Sequence, residues 1–81
     1  MRQGILRYDS DLDTWCFDEE ERLESVSPGE ILRIRVADNF QCGQLYVNTD
    51  GKWEVIFGGA RKSSQWALTL ERGRWYPAKK D

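Results

Sequence analysis

Asp9, Asp11, Asp13 and Glu20 stand at positions 1, 3, 5 and 12 of the window DSDLDTWCFDEE. An EF-hand loop places side-chain oxygens for calcium at those positions. Such a loop also needs glycine at position 6, where this chain has Thr14, and a helix on each side, where the upstream GILRY is strand-like. An extended Thr14 to Phe17, at roughly 3.3 Å per residue, carries Glu20 well past the three aspartates. The window therefore divides into a polar turn, Asp9 to Asp13, and an acidic loop, Asp18 to Glu21. No metal or cofactor is expected.

Catalytic chemistry lacks its usual groups. The chain has no histidine, so the commonest general base, proton shuttle and zinc ligand is missing. Cys16 lies between Trp15 and Phe17 on an expected strand, and Cys42 follows Gln41 in an expected loop. Neither has an activating neighbour in sequence, and both read as reduced, half-buried thiols. Acids on a surface turn are not a preorganised carboxylate pair for glycoside chemistry. The expectation is a protein without enzymatic activity.

Two binding constellations remain. The first is acidic: Asp9, Asp11, Asp13, Asp18, Glu19, Glu20 and Glu21 could form a recognition surface for a basic protein and occupy its nucleic-acid-binding cleft. A protein partner is the preferred reading. The alternative is a single-stranded nucleic-acid surface, with Arg61, Lys62, Arg72 and Arg74 holding phosphates and Trp75 stacking a base. An isoelectric point near 5.1 weighs against it unless the acids lie on the opposite side. Trp66 alternates with Leu68 and Leu70 and reads as core, whereas Trp75 follows three charged residues and a glycine and reads as exposed.

The elements that must position these groups are strands. Period-two alternation of β-branched and aromatic residues dominates the chain. Strands are expected at Gly4 to Tyr8, Thr14 to Phe17, Ile31 to Val36, Gln44 to Asn48, Lys52 to Phe57, Trp66 to Leu70 and a short Trp75 to Pro77 with an edge-compatible proline. In the third of these, Leu32, Ile34 and Val36 face inward, while Ile31, Arg33 and Arg35 face out. Pro28 and Gly29 fit a type II turn, and Asp50-Gly51 between two alternating runs marks a hairpin. At most one short helical turn is expected, near residues 18–25, with Asp18 as its cap. Strands this short and this closely spaced predict an all-β fold: a small, strongly bent antiparallel barrel of SH3-like type with five to seven strands.

Eighty-one residues make one domain, residues 1–81, at a size where one core is only just sufficient. No apolar run approaches the roughly 20 residues of a membrane span, and the N-terminus lacks a cleavage-site pattern. A soluble, cytoplasmic protein without membrane contact is expected, monomeric or weakly dimeric. Residues 1–40 carry ten acids against five arginines, a balance of −5, and residues 41–81 carry seven bases against four acids, a balance of +3. The expectation is that the two halves attract each other on folding.

The spacing of Gly4-Ile5-Leu6, Trp15-Cys16-Phe17, Pro28-Gly29-Glu30-Ile31-Leu32-Arg33-Ile34, Gly43-Gln44-Leu45 and Trp53-Glu54-Val55 resembles that of short SH3-like barrel domains of unknown function encoded by bacteria and their mobile elements. The resemblance covers about residues 4–57 and rests on glycines and core apolar residues. It implies a fold and a genomic setting, compatible with a mobile-element regulator or inhibitor. It carries over no catalytic residue.

Overall fold

The computed structural model describes residues 1–59 and 64–81. Among them the chain forms eight antiparallel strands and no α-helix: β1 (Arg2–Asp9), β2 (Thr14–Glu19), β3 (Arg22–Ser25), β4 (Ile31–Val36), β5 (Asn39–Val47), β6 (Trp53–Phe57), β7 (Trp66–Thr69) and β8 (Tyr76–Lys80). They make one sheet in the order β3-β2-β1-β8-β4-β5-β6-β7. Strands β1 to β3 are one meander and β4 to β7 a second. The C-terminal β8 joins them, pairing with β1 from Leu6 to Arg2 and with β4 at Arg33 and Ile34.

A single sheet must bend over itself to bury its own apolar face. Here Trp15 and Phe17 from β2 share one core with Leu32 and Ile34 from β4 and with Val55 and Phe57 from β6. The terminal strands β3 and β7 do not pair with each other, so the sheet is strongly bent but open. Close approaches favour glycine at Gly4 and Gly43. A Cβ on Gly4 would meet the backbone of Asp18 on β2, and one on Gly43 would meet Val55 and Phe57.

The eighth strand, β3, replaces the helical turn anticipated near residues 18–25. Glu20 and Glu21 take left-handed backbone angles, with φ of 48° and 72°, and form a two-residue turn that pairs Glu19 with Arg22. A helix there would have been short, with little apolar surface to pack. As a strand, the segment extends the ladder of β2 and delivers Val26 into the core, where its N–H bonds to Trp15 O at 3.1 Å.

The second unforeseen turn, Ala37-Asp38, joins β4 directly to β5 and makes β5 nine residues long. Cys42 is consequently an exposed strand residue and not a loop residue, while Cys16 is fully buried. The anticipated turns are also present. Gly29 has φ of 97° and Glu30 N bonds to Ser27 O, and Gly51 has φ of 79° and donates to Asn48 O at 2.9 Å. Pro77 lies on an interior strand, but the ladder with β4 stops at Ala78, one residue short of it.

Candidate functional site

The β1–β2 connection is a tip built by its own acids. Asp9 Oδ2 accepts the Leu12 N–H at 3.0 Å, Asp9 Oδ1 lies 3.4 Å from Arg7 Nη1, and the Tyr8 hydroxyl donates to Asp13. The bond to Asp13, with burial, raises the Tyr8 phenol above its ordinary range. Asp9 and Asp13 thus spend oxygens on internal donors. Among the described residues no three histidine, cysteine or carboxylate side chains group as a metal site. What the tip offers to solvent is Ser10, Asp11, Leu12 and Asp13, with Leu12 53% exposed.

The remaining acids occupy other places. Asp18 accepts Arg7 Nε at 2.9 Å on the outer face of the sheet, and Glu19 lies 3.3 Å from Arg2 Nε. The bond to Asp18 leads the effects that raise the Arg7 guanidinium above its usual value. Glu20 and Glu21 form the turn at the far end of β2 and are exposed. Six extended residues separate that turn from the tip, a distance of about 20 Å. The seven candidate acids therefore form two separate turns joined by paired carboxylates. Each turn has an exposed leucine beside it, Leu12 at the tip and Leu23 on β3.

Of the basic and aromatic constellation, Arg72, Arg74 and Trp75 lie in the connection from β7 to β8. Arg72 lies over the ring of Tyr8 at 4.4 Å, which places it beside the acidic tip. Arg74 lies 3.4 Å from Glu71, and Trp75, 66% exposed, has the Arg7 guanidinium 6.0 Å from its ring. Arg61 and Lys62 lie outside the described residues. Acids and bases are thus interleaved at one end of the sheet, where Lys52, Glu71, Arg72 and Trp53 also line an open cavity of about 410 Å³. Trp66 departs from the core position anticipated for it. It projects from the core side of the terminal strand β7 and remains 42% exposed.

Attraction between the two halves of the chain is narrower than their charges suggested. Among the described residues it is carried by Lys80, whose Nζ lies 3.0 Å from Glu30 and 3.2 Å from Glu24. Arg2 and Arg7, both from the first half, hold the other paired acids of that half. Arg33 and Arg35 make no ion pair among the described residues, and Arg33 faces Lys79 directly across the β4–β8 ladder. Alternation predicted that both arginines point outward. The juxtaposition with Lys79 depends on the C-terminal strand inserting beside β4, which no local pattern announces.

Cys16, buried beneath the outer face, has its thiol raised by burial. A raised thiol is a poor nucleophile. No protein-family profile matches the chain, and neither a curated protein nor a solved structure does.

Proposed function

We propose that this chain is a non-enzymatic binding module whose partner is a protein with a basic surface, engaged through the acidic turns of the β1–β2–β3 meander. The observation that supports it is Leu12, a large apolar side chain held out to solvent between Asp11 and Asp13 by the Leu12 N–H bond to Asp9. A tip already fixed loses less conformational freedom on binding than a loose one. An exposed aliphatic anchor ringed by carboxylates suits an apolar pocket with a cationic rim, such as the mouth of a nucleic-acid-binding cleft. Leu23, near Glu20 and Glu21, supplies a second contact of the same kind. The form of action this favours is that of a regulator or inhibitor.

A photo-crosslinking amino acid at position 12, introduced in the native host, tests the reading. The expected result is one dominant protein adduct, lost when Asp11 is replaced by Lys and weakened by salt. No adduct from position 12 or 23, together with tight, steeply salt-dependent binding of a labelled single-stranded oligonucleotide, would overturn it in favour of nucleic-acid recognition.

A further inference from the structure

Among the described residues, the two free edges of this open sheet are not alike. The β3 edge follows Glu20 and Glu21 and carries Arg22 and Glu24, the charged dressing by which natural sheets discourage strand addition. The β7 edge reads Trp-Ala-Leu-Thr, without charge or proline, and three of its four residues are exposed. Its unpaired backbone groups can be assigned. The Leu70 N–H donates to Trp53 O at 2.9 Å, so by the alternation of an antiparallel ladder Leu68 and Trp66 also turn their backbone groups toward β6. Ala67 and Thr69 turn theirs away from the sheet.

On the outer face, Ile31, Gln44, Ile56 and Ala67 are direct cross-strand neighbours in one row that crosses β4, β5 and β6 and ends at the β7 edge. Ile31 is among the most exposed apolar side chains of the chain. A strand added at β7 would continue that row.

We infer that β7 is a self-pairing edge: a second copy of this chain adds antiparallel to it about a two-fold axis at Ala67. In that register Ala67 exchanges both backbone bonds with Ala67 of the second copy, and Gln65 does so with Thr69. Leu68 of the second copy then lies across from Trp66 and covers its exposed ring. The occupant is identified by charge. Residues Gln65 to Thr69 carry none, so self-pairing sets no like charges opposite each other, and the outer apolar row meets its own symmetric copy. Pairing of β7 with the β3 edge of another molecule would build an open filament, and the charges on β3 oppose it. A contact of five residues per chain is small, and the dimer is correspondingly weak.

Sedimentation velocity of the full chain from micromolar to millimolar concentration provides the test. The apparent mass should rise toward twice the 9.5 kDa of one chain. Ala67→Lys should keep the protein monomeric at every concentration with its melting temperature unchanged, and Leu23→Lys on β3 should leave the dimer intact. If Ala67→Lys proves unstable, amide exchange of the native chain decides. The Ala67 and Thr69 amides should slow as concentration rises, while the Leu68 amide is indifferent to it. A chain that stays monomeric at millimolar concentration, a dimer that survives Ala67→Lys, or Ala67 exchange independent of concentration would each overturn the inference.

Discussion

The indole of Trp66 stacks on the ring of Phe57, with centroids 4.4 Å apart and planes inclined by 22°, as direct partners across the β7–β6 ladder. The two rings differ in burial: Phe57 is 1% exposed and Trp66 is 42% exposed. Phe57 belongs to the core and Trp66 covers it. Phe57→Ala should therefore cost about 3–5 kcal/mol, as for a buried ring. Trp66→Ala forfeits the stack and part of a ring's burial, about 1–2 kcal/mol. Urea denaturation of the two variants measures both, and equal losses would place Trp66 in the core after all.

Much of the architecture is written locally. Alternation along Ile31 to Val36 places Leu32 and Ile34 in the core, and Pro28-Gly29 and Asp50-Gly51 announce their turns because only residues tolerant of positive φ close them. The turns at Glu20-Glu21 and Ala37-Asp38 use non-glycine residues in left-handed conformation and carry no such mark. Tertiary packing imposes them: β3 extends a ladder that would otherwise end at β2, and β5 needs its full length to pair with both neighbours. The site was legible in type more than in arrangement. The acids were visible as a cluster in sequence, but β2 separates them in space, and the contact of Arg72 with Tyr8 depends on a β8 insertion that is non-local.

Stability at low pH should follow Glu24. Its carboxylate accepts from Arg2 and lies 3.2 Å from Lys80 Nζ, and these hydrogen bonds, Arg2 first, hold it below its ordinary value of 4.5. A carboxyl depressed in the folded state stabilises it at pH values above the unfolded pKa, and that contribution disappears as pH falls through the folded value. Glu24→Gln should lower the melting temperature modestly at neutral pH and converge with the native chain as pH falls through the folded value, below 4.5. Because Glu24 is exposed, molar salt should shrink the neutral-pH difference. Lys80 gives the opposite limb. Burial pulls its ammonium down, but bonds to Glu30 and Glu24 outweigh that and raise it above 10.5, so its contribution holds below that pH and is lost as pH rises through the folded value. Thermal melts across the pH range check both limbs, and a Glu24→Gln difference that persists unchanged in acid would show that the ion pairs are not its origin.

Ala37 is the residue at which the local conformation most clearly disfavours the side chain present. It is the first central residue of the two-residue turn between Val36 and Asn39, its φ is 56°, and it is exposed. A left-handed conformation costs a residue with a Cβ roughly 1–2 kcal/mol, and glycine avoids that cost while losing about 0.5–1 kcal/mol in added unfolded-state entropy. No core contact is lost, since the side chain is exposed, and the Arg35 Nε bond to the Ala37 carbonyl at 3.1 Å is to the backbone and remains. Ala37→Gly should therefore stabilise the fold by about 0.5–1 kcal/mol, a rise of roughly 3–6 °C in melting temperature for a domain of this size. The same exchange at Ala67, an exposed alanine in extended conformation on β7, has no left-handed angle to relieve and should destabilise through loss of strand preference. Thermal melts of the two variants separate the backbone argument from any general effect of removing a methyl group. A loss of stability at both positions would show that the turn bears no strain at Ala37.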